Sequence, residues 1–269
     1  MALAVSATAC HQGFQLKRYT TNEELFKAGL REYQRKKWDN AVAAFEKLTI
    51  ELPARDSLLS RSFWYLASAH EHRDEYLLAA QSFSRIVESF PDDSLADDAA
   101  LEAARSYRKL WRKPSLDPSY GETALAQYQT MLGLYGDTSP LAPEARKEVA
   151  ELENWFAIKN FDAGNYYFRR RAYDSAIQYF RYVLDHWPDS PKAHEASVRL
   201  VEAFKQIRYQ DDAKEMCTQL RRRYPTDVQA REVCRGIPDA PIPTASTAPT
   251  PSTLATPPPN RTPQSTPRN

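Results

Sequence analysis

Apolar positions along this chain recur in blocks. The stretches WDNAVAAFEKLTIELP (38–53), YLLAAQSFSRIVESFP (76–91) and YDSAIQYFRYVLDHWP (173–188) share one spacing: an aromatic, an alanine three later, an aromatic four after that, and a proline twelve after the alanine. In residues these are Trp38/Ala41/Phe45/Pro53, Tyr76/Ala79/Phe83/Pro91 and Tyr173/Ala176/Phe180/Pro188. QDDAKEMCTQLRRRYP (210–225) keeps Ala213 and Pro225 but sets Cys217 in the second aromatic slot, and a weaker copy has Ala124 and Tyr128 with Gly136 in place of proline. Alanine and the ring at i, i+4 lie on one helix face, where the small residue admits a neighbouring helix and the ring fills the space beside it. Proline then stops the helix, because it lacks the ladder N–H and disfavours helical backbone before it.

Each block implies a partner helix. NEELFKAGLREYQRKK (22–37), with Thr21 and Glu24 set as a capping box, and RSFWYLASAHEHRDE (61–75) both carry helical apolar spacing, with Gly29 and Ala67 at the close-approach site. After the prolines, Ser94 with Asp97 and Ser190 with Pro191 are set to restart helices. The alanines lie 38 (Ala41 to Ala79) and 37 (Ala176 to Ala213) apart, while intervals of 45 and 52 in the middle contain insertions. One insertion is the loop KPSLDPS (113–119); the other lengthens a helix over about 144–171 that joins the two halves of the array. The predicted fold is all-α, a solenoid of about five helix pairs, with repeats one, two and the start of three over 22–112 and repeats three to five over 113–237.

Composition narrows the functions. Seven glycines in 269 residues leave no room for phosphate-cradling loops, whereas 15 tyrosines, 11 phenylalanines and 5 tryptophans suit helices packed through rings. A net charge of +1 gives no reason to expect nucleic acid, and no apolar run approaches the ~20 residues that span a bilayer. His70 and His72 are two apart and point to different sides of a helix, and His194-Glu195 lacks the second histidine of a zinc protease. The acidic pairs 92–93, 97–98 and 211–212 stand at helix starts, where the dipole accounts for them. No catalysis, metal or cofactor is expected.

Cys217 and Cys234 read as two buried or half-exposed thiols, with pairing in an oxidising compartment left open. PDAPIPTASTAPTPSTLATPPPNRTPQSTPRN (238–269) holds 10 of the 19 prolines and is expected to be a disordered tail.

Small residue, alanine, aromatic and proline at these offsets resemble the tetratricopeptide repeat, in units longer than the usual ~34 residues. More narrowly, LENWFAIKNFDAGNYYFRRRAYDSAIQYFRYVLDHWPDS (152–190) resembles the BamD family of outer-membrane protein assembly lipoproteins, a likeness extending over about 22–230. The resemblance implies a lipid anchor on the periplasmic face of the outer membrane. Ala7, Thr8, Ala9 and Cys10 form a loose lipobox, so residues 1–10 are expected to be a truncated lipoprotein signal ending at Cys10, which carries the covalent lipid, followed by a linker over 11–21.

The resemblance also implies partners: a BamA-like barrel subunit, other lipoproteins of that assembly, and unfolded outer-membrane β-barrel proteins. First helices of stacked pairs line a concave groove. Phe26, Leu30, Tyr33, Arg61, Trp64, Ser68 and His72 are the expected groove residues for an extended substrate peptide. Arg169, Arg170, Tyr173 and Tyr179 are the expected partner surface, with Arg170 standing in for the basic residue the family has at the position of Tyr179. The alternative is a periplasmic repeat adaptor for cell-division or cell-wall machinery.

Overall fold

The computed structural model describes residues 14–239. A short 3-10 turn at Leu16–Arg18 leads into eleven helices among the described residues. They pair as α1 (Asn22–Gln34) with α2 (Trp38–Glu51), α3 (Leu59–Glu71) with α4 (Tyr76–Ser89), and α5 (Ala96–Leu110) with α6 (Ser119–Tyr135). The array continues with α7 (Ala142–Arg169) against α8 (Tyr173–His186), α9 (Pro191–Ile207) against α10 (Gln210–Arg223), and a short closing helix α11 (Val228–Val233). Each helix packs on the next, and the first helices of neighbouring pairs also touch, α1 on α3 and α7 on α9. This is the expected tetratricopeptide-like solenoid.

The repeat motif does what its spacing requires. Ala41, Ala79 and Ala176 are fully buried, as are Phe45, Phe83 and Phe180, and each such ring contributes about 1.5–3 kcal/mol through burial. Gly29 sits where a Cβ would come within 3.0 Å of the Phe45 ring, so α1 lies directly on the motif face of α2. The same seat recurs at Gly164, where an added Cβ would stand 2.5 Å from Phe180. α2, α4, α8 and α10 each stop two residues before Pro53, Pro91, Pro188 and Pro225, and the intervening Leu52, Phe90, Trp187 and Tyr224 all leave the helical region.

The turns inside the pairs were not legible. Lys36, Asp74, Arg171 and Arg208 are left-handed (φ 59° to 62°), each two residues before the second helix of its pair. The following residue closes each turn with a six-residue backbone bond, such as Lys37 N–H to Glu32 C=O (2.9 Å) and Tyr209 N–H to Phe204 C=O (2.9 Å). Glycine usually holds this position, and its absence hid the motif. Arg208→Gly relieves the side-chain clash and is expected to raise unfolding free energy by about 0.5–1 kcal/mol, read from the urea midpoint.

Caps differ in detail from the sequence reading. Thr21 Oγ1 accepts from Glu24 N–H (3.2 Å), but the Glu24 carboxylate reaches Thr20 N–H rather than closing the box on Thr21. Ser94 does not cap α5; Asp93 Oδ1 accepts from Leu95 N–H (2.9 Å), and the other oxygen of the same carboxylate is held by Ser60 Oγ on α3 (2.7 Å). Ser190 occupies the cap of α9 with Pro191 at its first position, yet its hydroxyl makes no bond to the helix.

Two tertiary devices hold the second half. Arg105 on α5 bonds Glu148 (2.7 Å) and Glu144 (2.7 Å) on α7 and Glu102 (2.6 Å) on its own helix; Arg108 reaches Glu151 (2.8 Å), and Tyr128 on α6 donates to Glu148 (2.6 Å). Burial by itself would raise the Glu148 carboxyl, but Arg105 and Tyr128 bond its charged form and draw it below the ordinary 4.5. A depressed carboxylate stabilises the fold above its unfolded pKa and loses that contribution as pH falls through its folded one. The stability difference between the native chain and Glu148→Gln should therefore shrink as pH falls below about 4.5, followed by thermal melts across pH 3–7.

The second device corrects the reading of two thiols: Cys217 on α10 is disulfide-bonded to Cys234 just past α11, with 5.6 Å between Cα atoms. The motif's aromatic slot in the last pair is thus filled by a bridge to the closing helix. Arg221 gathers the chain beyond it, donating to Cys234 C=O (2.9 Å) and Ile237 C=O (2.6 Å) and pairing with Asp239. Pro238 and Asp239, expected to begin the tail, are therefore tied to α10; residues 240–269 and Cys10 lie outside the described residues.

Candidate binding surfaces

The expected groove on α1 and α3 follows from helical spacing: Phe26, Leu30 and Tyr33 rise along one stripe of α1, and Arg61, Trp64, Ser68 and His72 along one stripe at α3 and its end. The structure divides them. Phe26 is 4% exposed, packed edge-on against Phe45 (5.6 Å) and Tyr65 (6.1 Å), so it is a core ring and presents no face to a peptide. The cause is the close seat of α1 on α2 at Gly29, which turns that part of the stripe inward. Arg61 lies over the Phe26 ring, with the guanidinium carbon 5.3 Å from its centroid, and is itself exposed. Trp64 is half-buried against Phe83 (5.2 Å), which makes it a packing residue between pairs at least as much as a groove wall.

Tyr33 and His72 belong to an aromatic cluster that sequence reasoning found only in part. His72 stacks on Trp38 (4.0 Å, 14° between planes), and Tyr33 meets Trp38 (5.1 Å) and Tyr65 (5.3 Å) edge-on. Burial raises the Tyr33 hydroxyl above its usual 10.0, partly offset by its bond to Ser68. Trp38 was read as the first motif position and Tyr65 was not singled out; both were legible as neighbours of Tyr33 only once the helices were stacked. What remains open to a ligand is a ledge of Leu30, Tyr33, Trp38 and His72, with the exposed Arg61 over Phe26 two helical turns before Tyr33.

His70 and His194 have structural partners. His70 Nδ1 meets Glu75 Oε2 at 2.8 Å at the turn of the second pair. His194 Nε2 meets Asp227 Oδ2 at 3.0 Å, the same carboxylate oxygen that caps α11 through Ala230 N–H (2.6 Å). No group of three or more potential metal-binding side chains occurs among the described residues.

The second surface sits at the α7–α8 turn. Its residues share short segments because the end of α7 and the start of α8 flank the left-handed Arg171. Arg170 lies over the Tyr166 ring (4.0 Å), Tyr167 stacks on Tyr179 (5.4 Å, 12°), and Tyr166 meets Tyr167 edge-on (5.4 Å). The structure thus brings Arg170 and Tyr179 onto one continuous ladder of rings, in which Tyr166 and Tyr167 are the members sequence reasoning left out. Arg169 and Tyr173 stand on the adjoining face, around a cleft shared with α9. Burial raises the Tyr179 hydroxyl above 10.0, and the charged member of the ladder is Arg170.

No helix among the described residues is long and apolar enough to cross a membrane. A family model described as YfiO, outer membrane lipoprotein, matches residues 18–220. The chain is 25% identical over 205 residues to the outer membrane protein assembly factor BamD of Caulobacter vibrioides, covering 76% of this chain and 67% of that protein. It is 25% identical over 193 residues to the outer membrane protein assembly factor BamD of Xylella fastidiosa strain Temecula1, covering 63% of this chain and 61% of that one. The chain thus spans 61% to 67% of the length of these curated relatives. Among solved structures, the tetratricopeptide domain of P58(IPK) is similar at a TM-score of 0.43 and 14% identity, over 79% of this chain and 54% of that one.

Proposed function

The chain belongs to the YfiO family of outer membrane lipoproteins, and we propose on that premise that it is a lipid-anchored, non-catalytic scaffold for assembly of outer-membrane β-barrel proteins. The observation that carries this reading is the family match over residues 18–220, from just before α1 into α10, joined by relatives that are outer membrane protein assembly factors. Within it, the ledge of Tyr33, Trp38 and His72 with Arg61 takes an extended substrate segment bearing an aromatic residue and a carboxylate, and the Arg170/Tyr179 ladder holds the barrel subunit. Rings give a broad contact at low entropic cost, and guanidinium groups fix a carboxylate's register. Cys10 carries the lipid in this proposal. The buried disulfide supports an oxidising compartment such as the periplasm, since thiols are kept reduced in the cytosol.

The test is copurification of the tagged full chain from membranes. It is expected to bring down a barrel subunit, and Arg170→Glu is expected to weaken that capture at least tenfold while leaving the melting temperature unchanged. Cys10→Ser should move the chain from the membrane fraction to the soluble one. A chain that never captures a barrel subunit overturns the scaffold role, and one that stays in the membrane without Cys10 overturns the anchor.

A further inference from the structure

The arginine run at the end of α7 does not act as one unit. Arg170 turns to Tyr166, whereas Arg169 and Arg171 border a separate cleft of about 370 Å³ between the α7–α8 turn and α9. Asn165 and Arg199 complete its polar rim, and Phe168 and Tyr173, edge to face at 5.4 Å, form its apolar floor. Arg199 lies over Phe168 (5.3 Å) and pairs at 2.7 Å with Glu202, one turn along its own helix. Among the described residues no carboxylate lines the cleft. Neither Arg169 nor Arg171 has an ion-pair partner among the described residues.

A positive cluster at a helix end has an ordinary explanation, because the last carbonyls attract cations. Here it accounts for little. The helix end offers about half an elementary charge, and its carbonyls are already engaged: Tyr167 C=O accepts from Ala172 N–H (3.1 Å) and Phe168 C=O from Arg171 N–H (2.9 Å). Two guanidinium groups remain without a counter-charge, held apart by different backbone conformations, helical at Arg169 and left-handed at Arg171. Arg199, already paired with Glu202, adds a third guanidinium from the next helix pair.

We propose that this cleft is a binding site for an acidic peptide segment, in which neighbouring carboxylates engage Arg169, Arg171 and Arg199 while an adjacent aromatic side chain rests on Phe168 and Tyr173. Guanidinium forks match carboxylates in bidentate geometry, and the Asn165 carboxamide can pair with a peptide group as both donor and acceptor. That carboxamide and the aromatic floor favour a peptide over a phosphate-bearing membrane surface. The proposal rests on the scaffold reading, in that it adds an acidic segment of a protein partner to the surfaces already described.

The experiment is a titration of the full chain with a fluorescent hexapeptide carrying an Asp-Glu pair beside a phenylalanine, against the same peptide with Asn-Gln. The acidic peptide should bind about tenfold tighter, and the difference should shrink in high salt. The double variant Arg169→Gln/Arg171→Gly should lower the acidic peptide's affinity about tenfold and leave the neutral peptide's unchanged. Glycine accepts the left-handed turn, so the second change leaves the backbone unstrained. Equal affinity for the two peptides on the native chain overturns the proposal without any variant. Binding of phosphatidylglycerol vesicles, lost in the double variant, by a chain that ignores the acidic peptide also overturns it. A chain that captures the barrel subunit but ignores the peptide refutes this site alone; one that binds the peptide through these arginines but captures no barrel subunit refutes the scaffold and leaves the site standing.

Discussion

Replacing Arg105 with alanine is expected to lower the unfolding free energy by about 3 kcal/mol, the low end for breaking a buried ion pair. The side chain is 24% exposed and Glu148 16%, so the cluster is neither fully solvated nor dry. Without the guanidinium, Glu148 keeps the Tyr128 hydroxyl and the nearby charge of Arg108, and Glu102 faces a half-buried site that already pushes its carboxyl above 4.5. The loss should appear as a lower urea midpoint with an unchanged slope. A second variant separates charge from packing: Arg105→Met combined with Glu148→Gln should lose less than Arg105→Ala, since it strands no charge at Glu148, while Glu102 loses its partner in both variants. A loss under about 1 kcal/mol for Arg105→Ala, the size of a surface pair, would show that the α5–α7 seam is held by its apolar contacts alone.

The second large effect concerns the bridge between Cys217 and Cys234. Closing a loop of 17 residues restricts the unfolded chain by about 3 kcal/mol on the chain-entropy estimate. Both cysteines are fully buried, so the double variant Cys217→Ala/Cys234→Ala is the cleaner probe than added reductant. It should lose about 3 kcal/mol in equilibrium unfolding. Amide exchange should quicken first in α11 and the segment that Arg221 gathers, because α11 has only Ala230 fully buried within it and a single side-chain cap from Asp227. If the variant melts where the native chain does and α11 stays protected, the bridge is incidental and the His194–Asp227 contact with Arg221 suffices to close the array.

Much of the architecture could be read directly. The alanine–aromatic–proline spacing located α2, α4, α8 and α10 and their ends, and the core rings at Phe45, Phe83 and Phe180 followed from it. The surfaces were only half legible. Tyr33, Arg170 and Tyr179 stand where a ligand can reach them, but Phe26 does not, and Trp38, Tyr65, Tyr166, Tyr167, Asn165 and Arg199 enter only through neighbours. Helical periodicity says which side of one helix a residue occupies; it does not say how much of that side the next helix covers. At Gly29 the approach is so close that the Phe26 ring is sealed in, whereas at Tyr33, one turn later, the edge stays open.

By itself the sequence determined that this protein is a stack of helix pairs, because an alanine, a ring and a proline at fixed offsets are local instructions to coil, to pack and to stop. Tertiary structure alone decided the left-handed turns at Lys36, Asp74, Arg171 and Arg208, the Arg105 seam, the Cys217–Cys234 bridge and the acid-free cleft beside Arg169. The bridge, the seam to α7 and the cleft join residues 17 to 43 positions apart, and their partners are chosen by the pitch at which one pair lies on the next. The turns close within one pair, but only the packing of its two helices forces a bulky residue into a conformation its own side chain disfavours.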